Sequence, residues 1–410
     1  MKKISAQHQW TLGLSLIAYL FAGTVSTLVS VYLPVIVNDL KGYRVPEQEL
    51  GTLGAFVNAF FLYGWMAGGI LMGLLGDRFG RKKILALSTA LYGAATLLIV
   101  FVHDWRLMMF YRILAGLGVG GTLVLSTVMI SETWPEKSRA VIQGILSVSF
   151  PVGIVATGGL NILFEIWRRA FWLGLIPILV ATLMILFLKE PATWNRSASQ
   201  GTKLKALLHP PVRYNLISGI LIFGSVLIGL WGLFSWMPTW VQSILPEGYA
   251  GTRERGLTMM LLGIGGITGG LFSGFLVRVL GARKTLSLAF TGLTAVSLIL
   301  FLTNPRFSEI IYPETVLLAL FFGISQGSLS HYIPELFPSP IRAAATGLCF
   351  NIGRFFTATA VFFVGSLVTL FGGFGNALLV FSITFVIAFL AVYFTRAEPE
   401  RQLPIPQTVP

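Results

Sequence analysis

Charge is what this chain lacks most. Lys, Arg, Asp and Glu make up 11% of its 410 residues, against 55% hydrophobic residues, whereas soluble domains carry about 25% charge. A soluble globular domain is therefore excluded. The one cysteine, Cys349, excludes an internal disulfide and any cysteine-based metal cluster, and leaves the redox compartment open. Only four histidines occur, and no His/Asp/Glu or Ser/His cluster falls inside an apolar run. Neither a metal site nor an enzyme active site is expected at depth. The sixteen acidic residues all lie in the breaks between apolar runs or close to their ends. A phosphate loop is missing as well: Gly116, Gly118, Gly120 and Gly121 follow no strand and read instead as a close-packing helix face. No cofactor is expected. The net charge of +13 comes from basic residues dispersed over short loops, so it does not form a nucleic-acid surface and is better explained as a topology signal.

Long apolar runs are what the chain has. Windows at 10–37, 51–75, 84–103, 105–130, 140–163, 170–188, 214–244, 255–277, 285–303, 314–333, 342–370 and 374–395 are each long enough to cross a hydrocarbon core about 30 Å thick at about 1.5 Å per residue. The expected fold is an all-α membrane protein with twelve transmembrane helices. The first run continues for more than twenty residues after "MKKISAQHQW" without a small-x-small cleavage site, and is read as a retained helix. With the start of the chain in the cytoplasm, nineteen Lys and Arg fall in cytoplasmic segments. Eight (Lys41, Arg44, Arg106, Arg168, Arg169, Arg253, Arg255 and Arg306) fall on the other side. That bias places both termini inside and requires an even number of spans.

The longest polar insertion, Lys189 to Arg213, lies at the midpoint. It divides the chain into a six-helix bundle over 1–188, a cytoplasmic linker over 189–213, a second six-helix bundle over 214–395 and a cytoplasmic tail over 396–410. The halves are related: Glu132, Pro135, Arg139, Ala140 and Gly144 recur as Glu335, Pro338, Arg342, Ala343 and Gly347, each 203 positions later. A weaker repeat pairs "GLLGDRFGRKK" (73–83) with "GFLVRVLGARK" (274–284), with Arg278 in the slot of Asp77. Parallel repeats of this kind place a substrate site near the bilayer midplane, between two pseudo-symmetric bundles.

The segment "GDRFGRKK" between the second and third spans resembles the signature loop of the major facilitator superfamily, and the resemblance covers essentially the whole chain. "RILAGLGVGG" in the fourth span is similar to the arginine-glycine pattern of symporters in that superfamily. "SFPVGIVATGG" in the fifth resembles the proline-glycine segment of its organic-acid symporters, and "FSWMPTWV" in the seventh their tryptophan-proline segment. "ELFPSPIRAAATGLCFNIGR" resembles the organic-ion transporters, whose anion-carrying members have an arginine twelve residues after the loop arginine; here Arg354 follows Arg342 by twelve. The resemblance implies alternating access by rocking of the two halves, small organic solutes as substrates, and proton symport. One departure stands out. Aromatic-acid symporters typically carry acidic residues in the first span, and "LSLIAYLFAGTVSTLVSVYLPV" has none.

Arg354 lies twelve residues into the eleventh span, about 18 Å from its cytoplasmic end, too deep for comfortable snorkelling. Placing an arginine there costs about 2.5–3.5 kcal/mol on insertion scales. It therefore faces either a wet cavity and an anion, or backbone carbonyls and polar groups of neighbouring helices. Asn351, three residues earlier on the same face, is a second candidate contact. Arg112, eight residues after Asp104 and about 12 Å from the outer end of its helix, either adds positive potential to the cavity or ties helices together. Trp231, Trp236 and Trp240 project from related faces; of these Trp236, beside the Pro238 break, is the stacking candidate. Gln326 and Asn58 are polar groups in apolar runs, suited either to the cavity or to interhelical hydrogen bonds.

The loop Gly76, Asp77, Arg78, Gly80, Arg81 is expected to act on conformation. Asp77 is placed opposite the start of the eleventh helix, where Ser339 and Pro340 read as N-cap and first turn and the helix dipole favours a carboxylate. Glu132, Arg139, Glu335 and Arg342 are the further members of such a gate. His331 and Glu335, an i, i+4 pair, are the remaining proton-relay candidates, or a simple helix-end ion pair.

These readings point to a secondary active transporter, not an enzyme, moving a small organic anion, a carboxylate by its chemistry, across the cell inner membrane with proton coupling. The missing carboxylate at depth leaves anion exchange or facilitated diffusion open. The residues also leave room for efflux of a drug or lipid-like molecule, and for a non-transporting nutrient sensor. A sensor needs an output domain, and a linker of 25 residues and a tail of 15 offer little space for one. The expected partners are the anionic substrate, a coupling proton and membrane lipid, on a monomer.

Overall fold

The computed structural model describes residues 6–191, 210–338 and 341–395. Among them there is no strand, and fifteen α-helices follow one another: α1 (Ala6–Lys41), α2 (Glu47–Phe79), α3 (Arg81–Leu98), α4 (Trp105–Thr133), α5 (Glu136–Leu163), α6 (Trp167–Phe171), α7 (Leu175–Phe187), α8 (Pro210–Phe234), α9 (Met237–Ser243), α10 (Thr252–Leu280), α11 (Ala282–Thr303), α12 (Ile311–Glu335), α13 (Arg342–Phe362), α14 (Val364–Phe371) and α15 (Phe374–Phe394). Helix is the form that satisfies every backbone N–H and C=O within one segment, which hydrocarbon surroundings demand. Eleven helical stretches are long and apolar enough to cross a membrane, and the bent pair α13–α14 makes a twelfth.

Two spans differ from the unbroken runs expected. The seventh, 214–244, is interrupted between Phe234 and Met237, with Pro238 in the first turn of α9. A proline lacks the N–H that would continue the helix but suits the start of a new one. The eleventh, 342–370, bends by 43° around Phe363. The Ser339 and Pro340 pair, most of the linker (192–209) and the tail (396–410) lie outside the described residues.

The internal repeat is written into the geometry. Gly80, between α2 and α3, and Gly281, between α10 and α11, both adopt positive φ, 110° and 81°, which only glycine takes up without strain. Arg139 donates to the carbonyl of Trp134 (Nε–O 3.3 Å, Nη2–O 3.2 Å), and Arg342 donates to that of Phe337 (Nε–O 3.1 Å). These are equivalent bonds in the two halves. The packing repeats too. Gly64 and Gly68 of α2 lie against the backbone of Ile113 and Leu117 in α4, while Gly265 and Gly269 of α10 lie against Val316 and Leu320 in α12. The glycines of α4 serve two neighbours, Gly116 and Gly120 meeting Phe61 and Trp65 of α2, and Gly118 meeting Ser88 and Tyr92 of α3.

We call the side carrying the α2–α3 and α10–α11 turns the basic face. On the opposite face the two bundles are sealed together. Gly158 of α5 packs on Gly256 of α10, and Gly365 of α14 packs on Gly51 and Thr52 of α2. Phe56 lies 4.8 Å from Phe362 between ring centroids, and Tyr63 Oη is 2.9 Å from Thr359 Oγ1. Toward the basic face, Gly144, Ser147 and Ser330 line a cavity between the bundles.

A Cβ on Gly68 or Gly269 would collide with the backbone of the facing helix, whereas one on Gly274 meets nothing within 4 Å. Gly68→Val and Gly269→Val are expected to cost about 1–3 kcal/mol each as overpacking, and Gly274→Ala to be neutral. Thermal unfolding of the purified variants in detergent checks this; an unchanged midpoint for Gly68→Val would contradict the seam.

Candidate functional site

The cavity between the bundles has a volume of about 510 Å³. Its walls are aromatic and apolar for most of their extent, with Trp65 and Phe150 from the first bundle and Phe223, Trp231, Phe234 and Phe322 from the second. Tyr19, Thr27, Ser273 and Gln326 are among the polar groups. Among the described lining residues, Arg354 is the one that carries a charge.

The surroundings of Arg354 are built from two helices that meet across the cavity. Trp65 of α2 and Phe223 of α8 each place a ring centroid 5.9 Å from the guanidinium carbon, at the outer limit of a cation–π contact worth about 0.5–2 kcal/mol. Neither ring is free to leave. Trp65 abuts Trp231 edge-on at 5.4 Å and Phe150 at 5.7 Å, and Phe223 stacks on Phe350 at 4.3 Å. Among the described residues no hydrogen bond or ion pair engages the guanidinium. The guanidinium has five N–H donors, and the site as a whole presents positive charge in an apolar, aromatic recess. A carboxylate meets that guanidinium with two parallel charge-assisted bonds.

The other candidates divide between the cavity wall and the packing of helices. Gln326 lines the cavity, its Nε2 buried without a partner. Arg112 lies away from it: 1% exposed, it donates from Nη1 to the Val25 carbonyl at 3.1 Å and sits 3.9 Å over Phe61, tying α4 to α1 and α2. Asn58 is likewise buried off the cavity wall, its Nδ2 without a partner. Asn351 turns its amide to its own helix, donating to Gly347 O at 2.8 Å, with its oxygen toward Gly69 of α2. Trp236 is fully buried in the seal, stacked on Phe374 at 5.4 Å and set against Gly54. The break after Phe234 separates it from the face that Trp231 presents, so Trp231 lines the cavity and Trp236 does not. Tyr19, Trp65, Phe150 and Phe223 carry no distinguishing mark in the sequence, where they look like the other aromatics of apolar runs.

The loop after α2 forms a cluster within the first bundle. Arg81 pairs with Asp77 and, at 3.2 Å, with Glu132, while Arg78 lies over the ring of Phe79 at 5.2 Å. Gly76 packs against Leu125. Glu190, which the sequence did not mark, accepts the Lys82 backbone N–H at 3.1 Å and fills the space beside Gly80, a carboxylate at the positive end of α3. Arg139 and Arg342 are engaged by the carbonyls already described. Glu335 lies 3.1 Å from His331, both more than half exposed on the basic face, and a surface contact of this kind is worth at most about 1 kcal/mol. The ion pairs among described residues thus lie within one bundle or the other. The expected approach of Asp77 to the start of the eleventh span falls on Ser339 and Pro340, outside the described residues.

Arg255, counted above only as a topology charge, proves to be a cross-bundle tie. It is 1% exposed, donates from Nε to the Val31 carbonyl of α1 at 3.0 Å, and from Nη1 to Gln242 Oε1 and to Ala250 O. Pro34 lacks the N–H that would serve the Ser30 carbonyl, one residue before Val31.

Twelve spans in two repeated bundles, sealed on one face and enclosing a cavity open toward the other, define a membrane transport protein. The chain belongs to the Major Facilitator Superfamily, whose family model matches residues 15–358. It is 30% identical over 380 residues, 88% of each chain, to the cis,cis-muconate transport protein of Acinetobacter baylyi. It is 25% identical over 367 residues, 89% of each chain, to the 3-(3-hydroxy-phenyl)propionate transporter of Escherichia coli. Among solved structures, the inward-open xylose transporter XylE of E. coli superimposes with a TM-score of 0.77 at 17% identity, covering 95% of this chain and 97% of that one; this likeness speaks for the fold alone.

Arg255→Ala is expected to loosen the sealed face. In a Cys349→Ser background, a Leu33→Cys reporter, at a position fully buried in that seal, should react with a membrane-impermeant maleimide several-fold faster when Arg255 is replaced. Equal labelling rates would remove Arg255 from the seal.

Proposed function

We propose that the protein is a secondary transporter that carries a small organic carboxylate across the cell inner membrane by alternating access. In this reading the basic face and both termini lie in the cytoplasm, and the conformation is open inward. The observation that carries it is Arg354: a guanidinium on the wall of an aromatic cavity, between Trp65 and Phe223, with no described hydrogen-bond or ion-pair partner of its own. The apolar walls suit the hydrocarbon body of an organic acid, and the arginine suits its head. The muconate and hydroxyphenylpropionate transporters it resembles name substrates of that kind.

Proton symport completes the reading. No carboxylate or imidazole stands among the described lining residues, and the exposed His331–Glu335 pair is the proton-relay candidate near the cavity mouth. Gln326 supplies a second polar contact to the cargo. The Asp77–Arg81–Glu132 cluster holds the ends of α2, α3 and α4 as one body while the bundles rock.

Proteoliposomes with an inward-directed proton gradient are expected to accumulate labelled cis,cis-muconate or 3-(3-hydroxy-phenyl)propionate and to exclude D-xylose. Arg354→Lys keeps the charge but loses the planar fork, and uptake should fall at least about tenfold, the equivalent of about 1.4 kcal/mol, in protein that still elutes as a single species. Normal transport by Arg354→Lys would discard the anion clamp; accumulation of xylose without the acids would discard the carboxylate reading.

A further inference from the structure

We infer that the groove between α1, α5 and α7 is a lipid site, holding one acyl chain of a phosphatidylethanolamine whose phosphate rests on Arg169 and whose ammonium rests on Glu165. The site lies on the outside of the first bundle and is independent of the substrate reading above.

The groove has a volume of about 380 Å³, and Leu20 and Phe21 of α1, Gly159 and Leu163 of α5 and Ile176 of α7 are among its walls. Every lining residue belongs to the first bundle. Leu163 is 76% exposed and Ile176 is exposed beside it, so the groove opens sideways to the bilayer. The second bundle meets α5 elsewhere, through Gly158 and Ile162. A Cβ on Gly153 would strike Leu20 and Thr24 of α1, and one on Gly158 would strike Gly256, whereas one on Gly159 meets nothing within 4 Å. Gly153 and Gly158 thus serve close helix packing. Gly159 leaves space open instead.

The chemistry of the walls selects the occupant. Their one polar side chain, Thr24, donates to the Leu20 and Gly153 carbonyls at 3.3 and 3.0 Å. Nothing there holds water, which needs about two to four polar partners, and an empty groove forfeits the dispersion contacts of its lining. In a bilayer the apolar chain at hand is that of a lipid. From Ala156 to Leu163 the groove runs about 10 Å along α5, within one hydrocarbon leaflet of about 15 Å.

The headgroup follows from what stands at the end of the groove. Its α5 and α7 walls are joined through α6, and that connection carries Glu165, Arg168 and Arg169. Arg168 is already engaged, by Asp39 and by the Val102 carbonyl at 3.1 Å. The side chains of Glu165 and Arg169 are exposed and make no ion pair or hydrogen bond among the described residues. One carboxylate and one guanidinium at the polar end of an apolar groove match a zwitterionic headgroup, phosphate to guanidinium and ammonium to carboxylate. A phosphate headgroup without the amine leaves Glu165 facing like charge.

The test is native mass spectrometry of the full chain, washed in detergent and titrated with phosphatidylethanolamine or phosphatidylglycerol. The unaltered protein is expected to hold one phosphatidylethanolamine several-fold more tightly than phosphatidylglycerol. Gly159→Leu and Gly159→Phe project into the groove and should abolish that single tight site, while Gly274→Phe, at an equally open glycine of α10, should keep it. Arg169→Gln should weaken both lipids, and Glu165→Gln should bring the two to equal affinity. Should the Gly159 variants not elute as a single species, Arg169→Gln and Glu165→Gln decide the matter, since neither side chain has a structural partner. A tight site retained in both Gly159 variants overturns the inference, as does equal affinity of the unaltered protein for the two lipids or indifference to both charge variants. Conversion of a dimer to a monomer by Gly159→Phe with lipid binding unchanged assigns the groove to a second copy of the chain, and overturns it too.

Discussion

Two membrane helices approach to backbone contact only where neither puts a side chain between them, and much of this molecule depends on that approach. Lipid offers no hydrophobic drive for one apolar helix to prefer another over an acyl chain, so packing must come from close fit. The pairs Gly64/Ile113 and Gly68/Leu117, and their counterparts Gly265/Val316 and Gly269/Leu320, lock α2 to α4 and α10 to α12. Each bundle gains a firm spine from this. The same device, in Gly158 on Gly256 and Gly365 on Gly51, joins the bundles across the sealed face. There the contact is between the two bundles and not within one.

Charge is placed by a complementary rule. The buried Arg112 and Arg255 donate to carbonyls, as do the loop arginines Arg139 and Arg342; Arg81 pairs with Asp77 and Glu132 of its own bundle, and Arg354 on the cavity wall has no described hydrogen-bond or ion-pair partner. Rigid bundles make that arrangement useful, because Trp65 and Phe223 are pinned by Trp231, Phe150 and Phe350 and cannot collapse onto Arg354. Pre-organisation of this kind reduces the ordering cost of binding.

The number and order of spans are legible in the sequence because hydropathy and the lysine and arginine bias report directly on membrane depth and side. The repeat is legible as well, since the turns at Gly80 and Gly281 and the loop arginines Arg139 and Arg342 need particular residue types. Less is legible where one span changes direction. The break after Phe234 puts Trp231 on the cavity wall and Trp236 in the seal, a division the sequence does not mark, and Glu190 reaches Lys82 from more than a hundred positions away in the chain.

Arg112, Arg255 and Arg354 mark the boundary between what the sequence determined by itself and what the tertiary structure decided. Arg112 and Arg354 stand within apolar runs, and the cost of a charge in hydrocarbon is enough to say from sequence alone that each requires a partner; Arg255, at the edge of a run, reads there only as a topology charge. Which partner depends on the helix across the gap: the α1 carbonyl of Val25 for Arg112, the α1 carbonyl of Val31 for Arg255, and for Arg354 a cavity between Trp65 and Phe223. Periodicity specifies a face of one helix, but the neighbour that meets that face is set by how two bundles pack, and only the folded chain brings residues 65, 223 and 354 together.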